Sequence, residues 1–116
     1  MRTSFLALAG AGLLAAVAVP ATARAEDAKH GRELFMSAGC YECHGMAGQG
    51  SVQSGPRLAP EPMPVASMIT LVRKPLNQMP AYSQKQLSDA DVADIHAYLA
   101  SIPAPPPVKD IPLLNY

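Results

Sequence analysis

The sequence has no Trp, and its aromatics are limited to 4 Tyr and 2 Phe in 116 residues. Such a chain cannot build a core around large aromatic plates of its own. It has no surplus of either charge: 9 basic and 9 acidic residues give a formal net charge of zero. That excludes a nucleic-acid binder held by phosphate contacts. Without a polybasic run there is also no handle for an anionic membrane surface. With only 2 Cys it cannot form a disulfide framework. Its longest apolar run, Phe5 to Val19, is 15 residues, short of the roughly 20 that a membrane helix needs. What the chain does have is 12 Pro and 8 Gly, a composition of short elements and loops within the length of one domain.

Residues 1–25 read as a secretory signal peptide. Arg2 supplies the positive start, the Phe5 to Val19 run the apolar centre, and Ala23-Arg24-Ala25 an A-x-A site cleaved before Glu26. A retained membrane anchor is the alternative. Cleavage leaves 91 residues with 7 basic and 9 acidic side chains, a net charge of −2, and no membrane span. The expected location is the periplasm. A domain this small is marginal on protein burial alone and needs something else to fold around. In an oxidising compartment its two thiols are a liability unless they are used.

Residues 26–102 form the expected folded domain. A first helix is predicted from Asp27 to Met36, capped by Asp27. Gly45 to Pro64 is rich in Gly, Pro and Ser, has no period and reads as a loop. Val65 to Val72 reads as a short helix between Pro64 and Pro75. Lys74 to Tyr82 is a second irregular segment. Ser88 caps a last helix, with Asp89 and Asp91 in its first turn. Val92, Ile95, Leu99 and Ile102 follow as one apolar stripe ended by Pro103. Residues 103–116 are a Pro-rich tail expected to be extended. No alternating run supports a strand, so the class is all-α.

Cys40-Tyr41-Glu42-Cys43-His44 is a C-x-x-C-H motif. Two thiols on one helical turn can add to the two vinyl groups of a single haem, and the following His can coordinate iron from the proximal side. A thioredoxin-like redox pair would need a βαβ context, which is missing. A zinc site would need four ligands, and Cys40, Cys43 and His44 leave one position unfilled. Covalent haem c also uses both thiols and adds a large apolar plate to a chain short of aromatics.

A sixth iron ligand is expected from Met79, in the Pro-stiffened segment Gln78-Met79-Pro80 before the last helix. Met63, between Pro62 and Pro64, is the rival. Met68 sits on the apolar stripe of a short helix and reads as packing. Met46 is too near His44 to reach the opposite face, and Met36 belongs to the first helix. His30, near the new N-terminus, and His96, beside the last helix's stripe, read as surface or packing residues.

The pattern resembles a class I cytochrome c, a small soluble protein of three to four helices and irregular loops around one covalently bound haem. The resemblance spans nearly the whole mature chain. Gly31-Arg32-Glu33-Leu34-Phe35 running into Gly39-Cys40 is similar to the family's first helix and haem motif. It implies that Gly31 allows a close crossing with the last helix and that Tyr98 packs there. Gly55-Pro56-Arg57-Leu58 resembles the family's G-P-x-L segment, which implies that the Pro56 carbonyl accepts the His44 ring N–H. Met79-Pro80 resembles the axial Met segment. Arg57 and Tyr82 are candidates to meet the haem propionates. The Pro-rich tail resembles those of cytochrome subunits that accompany periplasmic dehydrogenases.

These features point to a carrier of single electrons between redox protein partners, an upstream dehydrogenase and a downstream oxidase or reductase. It would not be an enzyme, and it would dock through a small apolar patch. The alternatives are an electron-transfer subunit of a periplasmic dehydrogenase and a five-coordinate haem enzyme or sensor.

Overall fold

The computed structural model describes residues 26–114; the signal-peptide reading of 1–25 lies outside them. Four helices follow in order: α1 (Ala28–Ser37), α2 (Cys40–His44), α3 (Val65–Arg73) and α4 (Asp89–Ser101). Among the described residues there is no strand, only an isolated bridge between Ser51 and Gly55. The all-α class therefore holds. None of the helices described is long and apolar enough to cross a membrane.

Local sequence fixes the helix ends. The Asp27 carboxylate accepts from the backbone N–H groups of Lys29 at 2.9 Å and His30 at 3.0 Å, so α1 starts one residue after its cap. Ser88 and Asp91 form a reciprocal capping box at the start of α4. At the other end Ile102 turns extended because Pro103 follows it.

α1 crosses α4, and the crossing is close because position 31 is Gly. A Cβ there would stand 1.8 Å from the Asp94 carbonyl oxygen, closer than any real contact. Phe35, one turn later, meets Tyr98 with ring centroids 5.6 Å apart and planes tilted by 57°. Phe35, Val92, Ile95 and Leu99 are fully buried here, and Ala59, Val72 and Leu87 complete the core. The expected stripe on α4 is thus the core face, with Ile102 packed at its edge.

The tail differs from a simple extended end. Pro103 to Pro107 has no regular structure, but two single 3-10 turns follow at Val108–Asp110 and Pro112–Leu114. Its root is exposed at the surface. Ala104 and Pro105 line a groove of about 320 Å³ with Arg57, Ala59, Pro60 and Glu61.

Candidate functional site

α2 is a single turn set between two glycines with positive φ, Gly39 at 77° and Gly45 at 79°. The turn carries Cys40 half-buried, Cys43 exposed and His44 buried, so both thiols and the imidazole belong to one short element. Burial raises the Cys40 thiol above its ordinary pKa, partly offset by a hydrogen bond from its own backbone.

The loop after α2 folds back around His44. The Gly50 N–H donates to the His44 carbonyl at 2.7 Å, and Ser54 Oγ donates to the Cys43 carbonyl at 2.7 Å. This return brings the Pro56 carbonyl to 2.8 Å from His44 Nδ1. A carbonyl has no proton, so Nδ1 is the donor and a neutral ring keeps its lone pair on Nε2. That is the tautomer a metal-bound His needs. Gly55 makes the approach possible: a Cβ would lie 2.9 Å from the Cys43 carbonyl oxygen and 3.1 Å from His44 Nδ1. The donor set fits a covalently attached haem: two free thiols, an imidazole aimed by its other nitrogen, and a cradle that a side chain at position 55 would fill.

Met79 lies in the segment between α3 and α4 and is half-buried against the same core as Cys40, Tyr41 and Met68. The segment is tied on both sides. Tyr82 Oη donates to the Ala38 carbonyl at 2.7 Å, two residues before Cys40, and the Tyr82 N–H donates to Val72 at 2.9 Å. Arg73 clamps the rest, donating to the carbonyls of Tyr82 at 3.2 Å and Leu87 at 2.7 Å and pairing with Asp89 at 2.6 Å. Met63 is 39% exposed and outside the core.

Tyr82 sits close enough to the motif to feel it. Burial raises its phenol above the usual value, and the Cys40 and Cys43 thiols and Glu42 add to the effect. Its hydroxyl proton is already given to Ala38, so its structural role differs from the expected contact to a propionate. Arg57 is exposed beside the tail groove. Reading the sequence missed the Arg73 clamp, Gly55 as a packing position, and Asp94 as a buried carboxylate. Asp94 stands next to Ile95 on the stripe, and that neighbour was the one available signal for its burial.

A family model described as cytochrome C oxidase, cbb3-type, subunit III matches residues 26–99, more than half of the chain. Comparison with curated proteins and with solved structures gave no match. On the family match the chain belongs to the cbb3-type cytochrome c oxidase subunit III family, and with it to the class I c-type cytochromes, electron-transfer proteins that carry iron in covalently bound haem c.

Proposed function

We propose that the chain is a periplasmic carrier of single electrons. Cys40 and Cys43 would hold the haem through two thioether bonds, with His44 Nε2 and Met79 sulfur as the two iron ligands. The bound iron supplies a one-electron couple, reduced by one protein partner and oxidised by another. The chain's own residues position and tune it. The Pro56 carbonyl fixes the His44 ring and tautomer. The Met79 thioether favours the ferrous state and raises the potential. Tyr82 and Arg73 hold the Met79 segment in place, and the apolar side chains of Met68, Ile69 and Val72 keep water away. No side chain has to move a proton or attack a substrate, so this reading has no catalytic residue.

The observation that carries the proposal is the 2.8 Å bond from His44 Nδ1 to Pro56, which prepares the imidazole next to two thiols as a metal ligand. The docking patch would include Met46 and Leu76, exposed apolar residues near the two ligand-bearing positions. With a mature charge of −2, long-range steering is weak and contact area has to do the selecting. The periplasmic location rests on the export signal read in residues 1–25.

Mass spectrometry of the mature protein tests attachment: one haem is added and no free thiol remains, whereas alkylation of Cys40 or Cys43 in the holoprotein contradicts it. Carbon monoxide tests the ligand set. The reduced spectrum stays unchanged because Met79 holds the sixth position, while immediate carbon monoxide binding would favour the five-coordinate enzyme or sensor.

A second reading is supported by the tail. Val108, Leu113 and Leu114 are 65%, 85% and 54% exposed, apolar side chains on the tail that a partner could cover. They suit a subunit held to a periplasmic dehydrogenase. Size exclusion of a native extract separates the two. Haem absorbance at the mass of the single chain marks a free carrier. Elution at higher mass that is lost on replacing those three residues with Ser marks a subunit.

A further inference from the structure

We infer that His30, Asp91 and Asp94 form a binding site for a divalent transition-metal ion of the Zn2+ type, separate from the haem motif and placed where α1 crosses α4. One ligand atom from each of the three lies within 4.8 Å of the others. Zn–N and Zn–O distances of about 2.0–2.2 Å at tetrahedral angles put two ligands of one ion roughly 3.3–3.6 Å apart. Side-chain rotation that draws the groups together by about 1 Å closes the set.

The three groups come from two helices. Asp91 and Asp94 are one turn apart on α4, and His30 faces them from the first turn of α1. Asp94 is only 2% exposed, so a carboxylate is held in the protein interior at this point. Its Oδ1 accepts from the Asp27 N–H at 2.8 Å, and its Oδ2 accepts from His30 Nδ1 at 2.8 Å. Asp91 Oδ2 accepts from the Ser88 N–H at 2.9 Å. An ion would take the place of the His30 Nδ1 proton, with the neutral imidazole carrying its proton on Nε2 instead. The Asp27 and Ser88 hydrogen bonds need not break, because each carboxylate has a second oxygen.

The donor chemistry selects the ion. One imidazole and two carboxylates suit Zn2+ and its first-row neighbours, whereas Mg2+ and Ca2+ prefer all-oxygen shells. The cation would also relieve the repulsion between two neighbouring carboxylates, one of them buried. It would link the first helix to the last and stabilise the crossing without touching the iron ligands.

The test is calorimetric titration of the holoprotein with Zn2+, paired with thermal unfolding. One equivalent of Zn2+ binds saturably, the melting temperature rises, and Mg2+ at the same concentration does neither. Asp91→Asn retains an oxygen for the Ser88 N–H, and His30→Gln retains an amide donor towards Asp94, so both variants should fold. Each weakens Zn2+ binding at least about tenfold, as expected when one of three ligands is lost, and reduces the thermal shift at the same Zn2+ concentration. His96→Gln leaves both intact. Absence of saturable binding, equal binding by Mg2+, or a loss that follows His96→Gln in place of the other two would overturn the site.

Discussion

One methyl group at position 31 is enough to push α1 away from α4, because the Asp94 carbonyl already occupies its space. The neighbour is backbone and cannot rotate aside. Gly31→Ala should therefore lower stability by about 1–3 kcal/mol, the range for overpacked sites, read as a lower midpoint in guanidinium unfolding. Haem attachment should persist, since α2 is untouched. Tyr82 gives a second prediction at this scale. Its phenol is raised mainly by burial, and thioether formation removes the thiol charges that add to it. A raised pKa means that the folded state favours the protonated phenol. Stability from this source is complete below the ordinary Tyr value and falls as pH rises through the folded one. Unfolding midpoints measured at increasing alkaline pH should show this loss, and Tyr82→Phe should reduce it. Because the bond to Ala38 also disappears, the variant should be less stable at neutral pH by about 1 kcal/mol.

At the level of elements, what the sequence makes legible is local. Asp27 and Ser88 cap their helices because the cap needs only side chains within three residues. The α4 stripe is readable because its period is the helix's own. Ser88→Ala should cost about 1 kcal/mol, measured by thermal or chemical unfolding, with the absorption spectrum unchanged. The C-x-x-C-H turn is equally local, and Gly55-Pro56 is readable only through its resemblance to a known segment. Other features depend on approaches between distant segments and leave no periodic trace. Arg73 looks like an ordinary basic residue ending a helix until the chain from Tyr82 to Asp89 folds across it. Asp94 looks like one of several α4 acids until α1 covers it. Arg73→Ala should leave haem attachment intact but loosen the Met79 segment. The expected sign is faster displacement of the sulfur ligand by added imidazole, followed in the visible spectrum.

For the whole molecule, the buried protein core is small: Phe35, four residues around α4 and α3, and Ala59 and Leu87 from the connecting segments. Part-buried Met68, Ile69, Met79 and Tyr82 pack on it beside Cys40 and Tyr41. A chain with no Trp and this core is expected to rely on its covalent cofactor for much of its folded stability. The segment carrying Pro56 meets the motif at His44, and the segment carrying Met79 is tied beside it through Tyr82 and Ala38. The proposed ligands of the iron in this arrangement are His44 and Met79. The most direct measurement is the weak far-red absorption band of sulfur-ligated ferric haem in three variants of the holoprotein. Met79→His should acquire haem normally, lose the band and have a lower potential, while Met63→Leu and Met68→Leu should keep the band. Loss of the band in Met63→Leu together with its survival in Met79→His would contradict the assignment.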